Sequence, residues 1–121
     1  MRPFQRGHVW LVNFDPSVGH EYQKVRPALI IQQNTYLAGA LSLLTVIPIS
    51  SQVIKRSELD LLVTPDSQNR LLKPSLLKTQ QISSFDKRRF IKYIGTLNDD
   101  TLHRIDEQLQ LFLFGKIFNA S

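Results

Sequence analysis

At Asn98 the periodicity of the chain changes, and no other feature constrains the fold as much. Before that point the apolar residues fall in short runs closed by Pro, Gly, Asp or Ser. After it Leu102, Ile105, Leu109 and Phe112 recur at intervals of three and four, with Leu113 beside them and Asp106, Glu107 and Gln110 opposite. Short apolar or alternating runs specify strands, and the longer spacing specifies an amphipathic helix. Strands followed by one terminal helix make an α+β arrangement. The expected form is a small, strongly bent antiparallel sheet or half-open barrel, with the helix covering one face. A chain of 121 residues holds one such domain. It shows no repeat, low-complexity tract or linker.

The runs predict six strands. His8–Phe14 is apolar on both faces, so it reads as a central strand buried on both sides, stopped by Asp15-Pro16. Pro27–Gln32 is the second and Leu43–Ser50 the third, with Pro48 placing the third at an edge or a bulge. Leu59–Thr64, Leu76–Ile82 and Phe90–Leu97 follow, with a short turn or helical piece at Phe85–Lys87. Asn98 is the expected helix N-cap, with Asp99 and Asp100 complementing the dipole. Trp10 and Phe14 are expected core, as is the stripe Leu102, Ile105, Leu109 and Phe112. Leu111, Phe114 and Phe118 exceed what one helix face buries, which points to a dimer or partner surface.

Composition removes whole classes of function. The chain has no cysteine, which excludes disulfides, thiolate metal sites and cysteine nucleophiles. No P-loop, GxGxxG, HExxH or GxSxG occurs. His8, His20 and His103 are scattered, and Asp99-Asp100 belongs to the helix start, so no ligand set for a metal emerges. The N-terminal apolar run breaks at Asn13 and Asp15, and Leu109–Phe118 is too short to span a bilayer; a cytoplasmic protein is expected. Fifteen Lys and Arg against ten acids give a net charge of +5. That excess favours a polyanionic partner, either nucleic acid or an acidic protein segment.

One constellation concentrates polar chemistry. Between the first two strands lies a loop with Gly19, a position suited to positive φ, and with His20, Glu21, Tyr22, Gln23 and Lys24, ending at Arg26-Pro27. The third strand ends in Ser50-Ser51-Gln52, which adjacent pairing would set beside Arg26. Guanidinium and hydroxyl together suit a phosphodiester, because arginine offers a planar fork of donors and serine one more. The same residues also fit a plain surface ion pair, Arg26 with Glu21, beside a strand-end serine.

These segments resemble the MazF/PemK-type toxins. The likeness rests on Arg6-Gly7-His8-Val9-Trp10, on Asp15-Pro16-Ser17-Val18-Gly19-His20-Glu21, and on Arg26-Pro27 before an apolar strand. It continues in Pro48-Ile49-Ser50-Ser51-Gln52, in Gln81-Ile82-Ser83-Ser84-Phe85-Asp86-Lys87-Arg88-Arg89 and in Gly95-Thr96-Leu97. The resemblance implies one toxin domain over residues 1–121, with an SH3-like barrel that forms a homodimer. It implies a toxin–antitoxin endoribonuclease that cleaves single-stranded RNA by 2′-OH attack, with no metal or cofactor, giving a cyclic phosphate and a 5′-OH. It implies restraint by a cognate acidic antitoxin. By position, Arg26 matches the catalytic arginine, Ser50 a site usually held by threonine, and Glu21 the loop acid.

Glu21 and His20 are the proton acceptors within reach of this chemistry, whereas guanidinium holds its proton too tightly. Tyr22 is the candidate for base stacking. Lys24, Lys55, Arg56, Lys78, Lys87, Arg88 and Arg89 are candidates to guide the backbone, and Ser51, Gln52 and Gln81 to contact RNA. Two departures stand out: His8 replaces the family's aspartate, and Ser83 often a basic residue. A non-catalytic binder of the same fold, a CcdB-like topoisomerase poison or a degenerate member that holds only antitoxin or nucleic acid, is the alternative.

Overall fold

The computed structural model describes residues 2–15, 24–37 and 42–118. Its strands are β1 (His8–Asn13), β2 (Val25–Ile30), β3 (Leu43–Ser50), β4 (Asp60–Val63), β5 (Ser75–Lys78), β6 (Ser83–Asp86) and β7 (Phe90–Thr96), followed by helix α1 (Asp99–Phe114). All strand pairs are antiparallel, in the order β4-β5-β3-β2-β1-β7, with β6 also on β3. The path runs from β4 to β7 without closing.

The third strand is central rather than an edge, so the expectation for Pro48 needs correcting. Its N-terminal half, Leu43–Val46, pairs with β6, and Ile49–Ser50 pairs with β5. On its other side it pairs with β2 through Ala28↔Pro48, Leu29↔Ile47 and Ile30↔Val46. The Ile31 N–H donates to the Thr45 carbonyl, so odd-numbered residues of β3 turn their backbone groups toward β2. Those of Pro48 face the gap between β6 and β5, where a missing N–H costs no ladder bond.

The same gap splits one predicted strand. Leu76–Ile82 is the end of β5 followed by a one-turn 3₁₀ segment, Thr79–Gln81, which carries the chain from one partner site on β3 to the other. Ser83–Asp86 is then a strand of its own, and the predicted turn at Phe85–Lys87 falls two residues later, at Lys87–Arg89. Strand β2 begins two residues earlier than expected, because Val25 and Arg26 pair with Asn13 and Val12.

Strand β1 is buried on both faces as its sequence predicts. Val9 joins Leu29, Ile47, Leu77 and Ile105 on one face, while Trp10 and Val12 join Ala28, Ile30, Val46 and Phe90 on the other. Trp10 and Phe14 are buried core. The helix covers the first face through fully buried Ile105, with Leu102 and Leu109 packed beside it. The Asn98 carboxamide oxygen accepts from the Thr101 N–H at 2.8 Å, so the N-cap is where the sequence puts it. Phe112 and Leu113 depart from expectation. They are exposed together with Leu111, Phe114, Ile117 and Phe118, because α1 outruns the sheet it packs on.

The Arg6-Gly7-His8 segment is a clamp of the fold. The Arg6 guanidinium donates to the Ile31 carbonyl and to the Asp106 carboxylate, tying α1 to the sheet. Gly7 has φ +91°, donates to the Ile30 carbonyl and accepts from the Leu97 N–H. A side chain there would be strained and would crowd Leu102.

Candidate functional site

Strand register, not chain proximity, builds the site. Continuing the β2–β3 register by two residues past Ala28↔Pro48 sets Arg26 across from Ser50, on the same face of the sheet. Arg26 is exposed and Ser50 half-buried, its Oγ accepting from the Gln52 N–H at 3.2 Å. A pocket of about 640 Å³, a size that suits a small ligand or a nucleotide, opens next to Arg26, which lines it. Leu11, Pro27, Ile49, Leu71 and Ile94 give it an apolar lining, and Arg26, Ser51, Arg70, Lys73 and Lys92 also line it. Among the described residues, no carboxylate lines it. This described lining suits an anion with an apolar body.

Arg26 and Ser51 are thus in one pocket, whereas Ser50, across from Arg26 by register, is outside its lining. Gln52, Lys55 and Arg56 lie outside its lining, on the exposed connection between β3 and β4. Lys24 is exposed at φ +64°; its N–H donates to the Asp15 carboxylate at 2.7 Å, and its carbonyl accepts from the Phe14 N–H. These bonds clamp the two chain segments next to Arg26. The Arg89 guanidinium adds to the clamp by donating to the carbonyls of Asn13 and Asp15. His20, Glu21, Tyr22 and Gly19 lie outside the described residues.

Lys78 is placed elsewhere. Its ammonium sits 2.6 Å from the Asp60 carboxylate, whose side chain is fully buried. A buried acid deprived of that cation would be strongly destabilised, so this lysine is held by the fold rather than free for a ligand. Gln81 is half-buried in the 3₁₀ turn, where its carbonyl accepts from the Ser83 hydroxyl. Lys87 and Arg88 are near β6, with Arg88 forked onto Asp86.

His8, the departure from the aspartate pattern, is buried. Its Nδ1 accepts from the Trp10 indole N–H at 3.3 Å, and its ring meets the edge of Tyr93 at 4.8 Å. The Arg2 guanidinium lies 3.8 Å over the Tyr93 ring. Burial first, and the Arg2 charge second, hold the His8 pKa below its ordinary value. A neutral imidazole therefore serves here as an acceptor that orients Trp10.

Three pocket cations, Arg70, Lys73 and Lys92, have no signal in the sequence. They come from the β4–β5 connection and an exposed position of β7, and only folding brings them to Arg26. Among the described residues, no group of three His, Cys, Asp or Glu side chains is placed to share a metal ion.

Comparison with known proteins agrees with this architecture. Residues 5–113 match the model of the PemK-like, MazF-like toxins of type II toxin–antitoxin systems. The chain belongs to that family. It is 29% identical over 113 residues to the endoribonuclease MazF9 of Mycobacterium tuberculosis, covering 90% of this chain and 95% of that one. It is 29% identical over 110 residues to the endoribonuclease EndoA of Bacillus subtilis, covering 90% and 93%. The fold is that of a MazF crystal structure from Deinococcus radiodurans, with TM-score 0.78 and 24% identity over 93% of this chain and 98% of that one. A mycobacterial endoribonuclease solved with its cognate antitoxin has the same fold, with TM-score 0.73 and 17% identity over 98% and 100% of the two chains. Among the described residues, no helix is long and apolar enough to cross a membrane.

Proposed function

We propose that this chain is the toxin of a type II toxin–antitoxin module and an endoribonuclease that cleaves single-stranded RNA. The observation that carries the reading is the family match over residues 5–113, joined to the cation-lined pocket that holds Arg26. Both curated relatives quoted above are endoribonucleases.

The chemistry follows from the groups at the strand ends. The ribose 2′-oxygen attacks the adjacent phosphorus and gives up its proton, with Glu21 as acceptor. The bond from phosphorus to the 5′-oxygen breaks, and that oxygen leaves protonated as a 5′-OH beside a cyclic phosphate. Charge builds on the non-bridging oxygens as the phosphorane forms. Arg26 meets it with a fork of donors and Ser50 with a hydroxyl, and each preorganised donor of this kind contributes about 3–4 kcal/mol. No step requires a metal. The +5 charge and the pocket's cations suit RNA, and also an acidic antitoxin segment that competes for the same surface. The apolar end of α1 and the segment after it, with Phe114 and Phe118 exposed, supports a homodimer.

The test is cleavage of a long unstructured RNA in excess EDTA. The expected result is metal-independent cleavage, cut about a hundredfold by Arg26→Lys and by Ser50→Ala, with Ser50→Thr retaining most activity. Unchanged cleavage by both weakened variants overturns the site assignment. RNA binding without cleavage in the parent favours the non-catalytic binder. Sedimentation at micromolar concentration is expected to give about twice the chain mass.

A further inference from the structure

We propose that the pocket walled by the β4–β5 connection is a nucleotide subsite, holding one RNA unit beside the cleaved bond. The inference rests on the endoribonuclease reading and extends it to residues that reading does not use. The connection is a preformed wall. Asn69 is buried at its centre; its side-chain oxygen accepts from the N–H groups of Asp66 and Leu71, and its amide donates to the Thr64 carbonyl. The Thr96 N–H of β7 donates to the Gln68 carbonyl at 2.9 Å. Gly95 lies so close beneath that an added Cβ would meet the Asn69 carbonyl oxygen at 2.3 Å.

This wall holds Arg70 at φ +55°, in the left-handed region that a side chain makes costly. Nothing in the turn calls for an arginine there, since glycine would take the conformation without strain. Strained backbone kept at a cavity points to use of the side chain. Arg70 and Lys92 line the same pocket as Arg26. Apolar Leu11 of β1, Pro27 of β2 and Ile49 of β3 give a surface for a base or sugar. A lining of Arg26, Arg70, Lys73 and Lys92 around an apolar body fits a nucleotide flanked by phosphates.

The experiment uses the full chain and a short single-stranded 2′-O-methyl oligoribonucleotide, which has no free 2′-OH and is not cleaved. Affinity is measured against salt for Arg70→Gly with Lys92→Gln, beside a thermal melt. The control is Arg104→Gln with Lys116→Gln, which removes the same charge from outside the pocket. The pocket variant is expected to bind about tenfold more weakly. Its log–log salt slope is expected to be shallower by about 1.4, for two lost phosphate contacts on a single strand. Its melting temperature is expected to hold or rise, because glycine relieves the strain at position 70. Affinity and slope equal to those of the control overturn the subsite, even where the parent cleaves RNA. Loss of binding to an acidic peptide with unchanged oligonucleotide binding also overturns it, by making the pocket a protein site. A parent that fails to cleave RNA while the pocket variant still loses oligonucleotide affinity breaks the endoribonuclease reading and leaves the nucleotide subsite standing.

Discussion

The two connections that flank β4 are similar in length and both basic, yet only one is built into the fold. Residues 51–58, between β3 and β4, are all exposed, and Ile54 is 95% accessible. Apart from the Gln108 side-chain amide, which donates to the Glu58 carbonyl at 3.4 Å, their bonds are local turns, Gln52 to Ser50 and Leu59 to Ser57, until Asp60 fixes the far end. Residues 64–74, between β4 and β5, wrap around buried Asn69 and dock on Gly95 and Thr96 of β7. One internal polar side chain that satisfies several backbone groups turns a loop into a wall. That difference explains why Arg70 and Lys73 line the pocket while Lys55 and Arg56 do not.

The largest effect separates the anchor of the first connection from a ligand role. Lys78→Ala leaves the Asp60 carboxylate buried without its cation. It is expected to destabilise the protein by about 3–5 kcal/mol, read as a lowered midpoint in a urea titration. A normal midpoint with weakened RNA binding would return Lys78 to the RNA surface.

The second connection is tested from below. Gly95→Ala sets a methyl group against the backbone of Asn69, which has no rotamer to yield. The expected cost is about 3 kcal/mol, the upper end for overpacking, with loss of oligonucleotide binding because the wall moves. Full binding at an unchanged melting temperature would show that the wall is pliant.

A smaller effect depends on pH. The folded His8 pKa lies below its ordinary 6.5. Above that value the imidazole is neutral in both states. As pH falls through it, the unfolded chain takes the proton first and stability declines, down to the lowered folded value. His8→Gln keeps a side-chain acceptor for Trp10 and removes the titration. Melts of this variant between pH 7 and 5 are expected to fall less steeply than those of the parent, and equal slopes would remove His8 from the account.

The smallest effect belongs to the exposed segment. Ile54→Ser is expected to change stability by less than about 0.5 kcal/mol, measured in the same urea titration. A larger loss would mean that this connection also packs against something, and the contrast between the two loops would fail.

The elements were legible in the sequence because their signals are local. Short apolar runs marked β1, β2, β3, β4 and β7, and the Asn98 cap with a 3.6-residue stripe marked α1. Leu76–Ile82 was read as one strand because nothing local shows that β3 has two partners on one side, or that Pro48 fills the gap between them. For the site, the motif order singled out Arg26, Ser50 and Ser51. It also singled out Arg6 and Gly7, which turn out to clamp the fold, and Lys78, which neutralises a buried acid.

By itself, then, the sequence determined the strands, the terminal helix, the basic charge and the arginine–serine pair at two strand ends. Periodicity, composition and short motifs are carried by neighbouring residues. The tertiary structure alone decided that Arg70, Lys73 and Lys92 line the pocket of Arg26, because those residues are tens of positions apart. It also decided that Arg70 is held in a left-handed turn, since the Asn69 network and the close approach of Gly95 impose that conformation. Register and close packing bring distant residues together, and no local pattern records them.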